Sequence, residues 1–107
     1  MPLRVKAFDG LLVELPNEAI EHILRKHPDM LSILNLTKGQ LVQKIINTIE
    51  KPDEVYIDIY NARYFLKRTN DLYINVIVGG GTVRTTYLIS TDTYARMRRI
   101  KWLRRLF

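Results

Sequence analysis

The sequence predicts an α+β fold: N-terminal helices packed on a four-stranded antiparallel meander, with a basic C-terminal helix behind them. Three observations predict it. Apolar residues recur at helical spacing in the first half of the chain, as in Leu41, Ile45, Ile46 and Ile49. From Val55 the pattern changes to β-branched and aromatic runs punctuated by turn residues. Ser90-Thr91-Asp92 then offers a helix cap ahead of a segment rich in Arg and Lys.

A chain of 107 residues forms one domain, spanning 1–107, and buries a modest core. Its hydrophobic content of 47% argues against disorder. With no cysteine it forms neither disulfides nor thiolate metal sites, and no cofactor or metal is expected. No run approaches the roughly 18 apolar residues of a membrane span, and the first ten residues do not read as a secretory signal. A cytoplasmic location is the expectation.

Taking the elements in order, Asp9-Gly10 between two apolar runs predicts a short hairpin within residues 1–15. The first helix is expected from Glu18 to about Lys26, with Asn17 as its N-cap and Pro28 ending it. Leu31–Leu36 reads as a helical turn. The second helix is expected from Lys38 to Glu50, because Thr37 and Gln40 have capping-box spacing and Pro52 follows. Strands are expected over Val55–Tyr60, Ala62–Arg68, Leu72–Val78 and Thr82–Ile89, separated by Asn61, Asn70-Asp71 and the three glycines 79–81. Such short connections imply antiparallel neighbours. The triple glycine lacks nucleotide-loop spacing and reads as a hairpin turn.

Alternation sorts the strands into two faces. Ile57, Ile74 and Val76 lie on an aliphatic face that belongs against the helices, while Tyr56, Tyr60, Tyr73 and Asn75 point the other way. The second strand carries Tyr64 opposite Arg63 and Lys67, and its register is left open by the pattern. Tyrosines beside basic residues suit base stacking and phosphate binding. An ordinary solvated sheet face has the same composition.

Charge is uneven. The net charge of +6 is +1 through Thr91 and +5 from Asp92 onward. On a helix over residues 92–107, Met97, Ile100, Leu103 and Phe107 form an apolar stripe interrupted by Arg104. Arg98, Lys101 and Arg105 lie opposite, with Trp102 near the boundary. A basic amphipathic helix of this kind binds nucleic acid or an anionic membrane. The only histidines are His22 and His27. His27 continues the stripe Ile20, Ile23, Leu24 and so points toward the sheet; His22 points away. A histidine exchanges protons near neutral pH, yet His27 also suits a structural place at a helix end.

The order of helix with His, "RKHPDM", a second helix ending before "KPDEV", and a meander ending in "VRTTYLIS" resembles the barnase, EndoU, colicin and RelE nuclease superfamily, especially its small phage-type members. The resemblance covers about residues 16 to 90. It implies a toxin-like, metal-independent ribonuclease that leaves a 2′,3′-cyclic phosphate. It matches His27 to the helical catalytic position, Thr86 to the hydroxyl residue of the last strand, and Arg63 and Lys67 to basic residues of the middle strands. His22 is the second histidine candidate. The expected nucleic-acid contacts are Tyr60, Tyr64, Tyr73, Arg84, Arg98, Lys101 and Arg105. RNA is the expected partner, with the ribosome, an antitoxin protein or a second copy of the chain as further candidates. The rival readings are a non-catalytic nucleic-acid- or ribosome-binding module and a peripheral membrane or partner-binding protein acting through the last helix.

Overall fold

The computed structural model describes residues 3–107. Its elements are β1 (Leu3–Lys6), β2 (Leu12–Leu15), α1 (Asn17–Lys26), α2 (Asp29–Ile33), α3 (Lys38–Glu50), β3 (Glu54–Ile57), β4 (Arg63–Thr69), β5 (Leu72–Gly79), β6 (Thr82–Ser90), α4 (Thr91–Met97) and β7 (Arg104–Arg105). The expected hairpin is the β1–β2 pair, although residues 1 and 2 lie outside the described residues. Its turn uses Gly10 at φ +89°, a conformation that suits glycine.

The class is α+β, but the expected four-stranded meander led by helices is not the architecture. One seven-stranded mixed sheet runs in the order β1-β2-β6-β5-β4-β3-β7, and two strands precede the first helix. The cause at one edge is apolar burial. Val5, Val13 and Leu15 of the hairpin are buried in the main core, each contributing roughly 1.5–3 kcal/mol. To bury them, β2 docks parallel to β6 at Glu14↔Thr82, which makes the sheet mixed.

The other edge overturns the expected C-terminal helix. Helix α4 begins where the capping signal lies, with the Thr93 N–H donating to Ser90 Oγ at 3.1 Å, but it ends at Met97. The chain turns through residues 98–103 and adds β7 to β3. Strand β3 would otherwise expose its backbone edge. Instead the Leu106 N–H donates to Val55 O at 2.7 Å, and the Val55 N–H donates to Phe107 O at 3.1 Å. Leu106 packs against the main core and Leu103 against a second cluster on the opposite face. Arg104, which spoils the helical stripe, sits exposed on the strand.

Local signals explain the long helix and not the first one. In α3 the capping box forms: the Gln40 N–H donates to Thr37 Oγ1 at 3.2 Å and the Thr37 N–H to Gln40 Oε1 at 2.9 Å. In α1 the cap residue is Pro16 and Asn17 is already helical, so the expected Asn17 cap is not made. Helices α1 and α3 bury Ile20, Ile23, Leu41, Ile45 and Ile49 against Val55, Phe65, Ile74, Val76 and Val78 of the sheet.

Strand register fixes the faces. Phe65 pairs with Val55 and Val76, so Arg63, Phe65 and Lys67 share the helix side. Rows of paired residues on the opposite side read Tyr56, Tyr64, Ile77, Thr85 and then Glu54, Leu66, Asn75, Tyr87. Between Ile77 and Val78 the pairing with β6 shifts by one residue, leaving Arg84 as the extra one. A bulge of this kind inverts alternation. Val83 therefore joins the helix-side core, while Thr85 and Tyr87 stay on the tyrosine side.

Candidate functional site

His27 is positioned by the end of α1. Its backbone N–H donates to Ile23 O at 2.7 Å, and Pro28 stops the helix one residue later. Since β2 pairs with β6 only at Thr82, α1 packs along the remainder of β6. The half-buried His27 ring thereby reaches Tyr87, with centroids 5.3 Å apart and planes tilted by 35°. Tyr87 belongs to the tyrosine side, so an imidazole from the helix layer meets the opposite face of the sheet at its β6 border.

Two polar atoms beside this contact have no partner. Asn75, directly across from Tyr87, is 2% exposed, and its Oδ1 accepts no hydrogen bond. Thr85 Oγ1, two residues along β6, is also buried without a partner. An unsatisfied buried polar atom costs about 1–3 kcal/mol, so such atoms are rare without a reason. Helix α4 covers the far end of this face with Tyr94 and Met97. At the other end His27, Tyr64, Thr85 and Tyr87 are half-buried, with Asn75 buried among them.

Tyr64 is anchored from the side. Its hydroxyl donates to Asp58 Oδ2 at 2.9 Å, and Asp58 Oδ1 accepts from the N–H groups of Tyr60 and Ala62, both at 2.9 Å. Burial tends to raise the Asp58 carboxyl, but these three donors together hold it below its ordinary value. The same contact has the reverse effect on its partner: burial and the Asp58 carboxylate push the Tyr64 phenol up to about 12. Burial and Glu54 likewise raise Tyr56 and Tyr94 above 10.0. A phenol with a raised folded pKa stabilises the fold fully below its unfolded value and loses that contribution as pH rises through the folded value. Denaturation midpoints followed from neutral pH should therefore fall once pH passes 10, continuing towards 12. Tyr64→Phe should flatten part of that fall.

The remaining sequence-derived candidates are dispersed. Thr86 is 0% exposed on the helix side with an unpartnered Oγ1, away from the tyrosine side. Arg63 donates to Asp9 Oδ2 at 2.6 Å, tying β4 to the β1–β2 turn. Burial tends to raise the Asp9 carboxyl, but the Arg63 hydrogen bond, the Leu11 N–H and the Arg63 charge hold it low. Lys67 donates to Lys51 O at 2.7 Å, closing the end of α3. Arg63, Lys67 and Thr86 therefore lie on the face opposite His27 and Tyr87. His22 is half-buried on α1. Tyr73 is buried, with Tyr94 stacked on it at 4.2 Å and the Arg68 guanidinium 5.9 Å from its centroid, so its ring is not open to a base.

Arg84 is exposed and donates to Gly79 O at 3.2 Å, bracing the glycine turn. Arg98 lies 5.8 Å from the Tyr94 ring centroid, and Arg105 sits 3.5 Å from Glu54. Lys101 and Tyr60 are exposed on turns. Asn75 and Thr85 were missed as site residues. The signal available for them was their shared alternation with Tyr73 and Tyr87, which names the face but not the missing partners.

Among the described residues no group of three or more His, Asp or Glu side chains converges as a metal-ligating set. None of the helices among the described residues is long and apolar enough to cross a membrane. Comparison with protein-family models, curated proteins and solved structures finds no match.

Proposed function

We propose that this protein is a metal-independent ribonuclease working on the tyrosine side of the sheet, with His27 as its proton-transfer group. The observation that carries this reading is the tilted contact of His27 with Tyr87 beside the unpartnered Asn75 Oδ1 and Thr85 Oγ1. In the proposed reaction His27 takes the proton of a ribose 2′-hydroxyl. The freed oxygen bonds to phosphorus, the bond from phosphorus to O5′ breaks, and O5′ takes up a proton from water. The imidazolium then returns its proton to solvent, and the product ends in a 2′,3′-cyclic phosphate. Thr85 Oγ1 and Asn75 Oδ1 are buried in the free protein, so they reach a phosphate oxygen and a ribose or base donor only once the side chains over them give way.

The positive field comes from groups that border the site. Lys26 precedes His27 at the exposed end of α1, and Arg84 precedes Thr85 on β6. They take the place of Arg63 and Lys67, whose side chains are engaged on the other face. Fixed donors and cations aimed at the phosphate stabilise the charge that gathers there during the reaction.

The test is digestion of a mixed RNA pool in the presence of a chelator by wild type and His27→Ala side by side. Fragments ending in cyclic phosphate from the wild type alone are the expected result. RNA shifted on a gel by intact wild type without any fragment would make the protein a binding module instead.

A further inference from the structure

Beyond the His27 face, the opposite border of the sheet carries a groove lined by Ile57, Asp58, Ile59, Asn61, Trp102 and Arg104, with a volume of about 270 Å³. We infer that this groove is a second binding site, which takes an unpaired nucleobase of a single-stranded nucleic acid stacked on Trp102, with Arg104 on the adjoining phosphate. The inference rests on the proposed RNA reading only for the identity of the strand that continues into it.

Four observations converge here. Trp102 is 51% exposed, Ile59 in the same groove is 68% exposed, and Tyr60 next to Ile59 in the chain is 82% exposed, so large side chains there are turned to solvent. The flanking chain supplies charge of one sign: Arg98, Arg99, Lys101, Arg104 and Arg105 with no acid among them. Exposed aromatic rings interleaved with cations suit single-stranded nucleic acid, because every base has a face to stack and every linkage carries a negative charge. A purely apolar partner would leave Arg104, the cation in the groove lining, without a counterpart.

The groove is also held in shape. Asp58 pins the turn through the N–H groups of Tyr60 and Ala62, and Asn61 adopts φ +65° to close it. On the other wall the Leu103 N–H donates to Ile100 O at 3.2 Å, fixing the turn that presents Trp102. Asp58 is the one acid in the lining. Its oxygens are occupied by three donors, which blunts its repulsion of a phosphate.

The fourth observation is continuity with the first site. The Asp58 oxygen that does not hold the turn accepts from Tyr64, whose ring lies on the His27 side of the sheet. From β6 to β7 there are four strand spacings of about 4.8 Å, or roughly 19 Å. Arg104 pairs with Ile57, and Ile57 with Arg63 on the helix side, so a strand leaving the tyrosine side reaches Arg104 around the β7 edge.

Trp102 is the chain's one tryptophan, so its emission reports on the groove directly. Wild-type protein is titrated with a labelled oligodeoxyuridylate, which lacks the 2′-hydroxyl and stays uncut whether or not the ribonuclease reading holds. Emission should be quenched in step with the rise in anisotropy of the label. Trp102→Ala should weaken binding by about 5- to 100-fold, as expected for the loss of one stacked base. Trp102→Phe should restore most of it. Arg104→Ala should weaken binding and lower the salt dependence by about one counterion. Emission that stays constant while anisotropy saturates would overturn the inference. Quenching by anionic phospholipid vesicles but not by the oligonucleotide would equally overturn it, in favour of a membrane surface. Quenching without any RNA cleavage would uphold the groove and remove only the catalytic reading.

Discussion

His27→Ala should cleave RNA about 10²–10⁴-fold more slowly than wild type, the usual loss when a proton-transfer group is removed. The fold should survive, because the side chain is half-buried at a helix end and its ring contact is with Tyr87 alone among aromatic groups. Initial rates on a chelated RNA substrate, with circular dichroism as the folding control, measure this. Two threonine variants make the test specific to one face of the sheet. Thr85→Val removes a hydroxyl that has no protein partner to lose, so its folding cost is small. Its rate should fall by about 10- to 100-fold if that hydroxyl donates to a phosphate, since hydrogen bonds to charged groups contribute about 1.5–3 kcal/mol. Thr86→Val, one residue on and fully buried on the helix side, should cleave at the wild-type rate and be as stable or more so. Equal rates for wild type and His27→Ala would end the proposed mechanism. The reverse order of the two threonines would move the site to the other face.

What could be read in the sequence was local, and what could not depends on partners distant in the chain. The Thr37–Gln40 capping box and the Asp9-Gly10 turn are each written within a few residues, and each forms, whereas β5 is buried on both faces from Tyr73 to Val76. The parallel docking of β2 on β6 joins residues 68 apart and leaves no local mark. The end of the chain reads as helix because Met97, Ile100, Leu103 and Phe107 fit helical spacing. Its β7 conformation is set by the open edge of β3, and the one sign of misfit was Arg104 within the stripe. The register of β4 decided the candidate site. Alternation separates Arg63 and Lys67 from Tyr64, but only pairing with Val55 and Val76 shows that the two cations join the helix side. The bulge at Arg84 leaves Thr85 and Tyr87 with Asn75, the arrangement that gives His27 polar neighbours.

Glu54→Ala should destabilise the protein by about 2–6 kcal/mol, because two phenol hydroxyls lose their common acceptor at about 1–3 kcal/mol each. Glu54 is 8% exposed at the start of β3. Its Oε1 accepts from Tyr56 at 2.7 Å, and its Oε2 accepts from Tyr94 of α4. Arg105, 3.5 Å from Oε1, balances the charge but is itself exposed, and such pairs contribute little. The carboxylate therefore joins three elements distant in sequence: β3, the helix over the tyrosine side, and the final strand. Against a total stability of about 5–15 kcal/mol for a domain of ordinary size, a loss of this magnitude is large. Urea denaturation is the direct measurement, with a lower midpoint at an unchanged slope expected if only stability changes. Glu54→Gln should lose less, since its remaining carbonyl oxygen still accepts one of the two phenols. Tyr94→Phe removes a single bond and leaves Tyr56 served, so its cost should be smaller than that of Glu54→Ala. If Glu54→Ala instead kept the wild-type midpoint, α4 and β7 would be held by Met97, Leu106 and the Val55 backbone alone. The covered end of the tyrosine side would then be independent of this carboxylate.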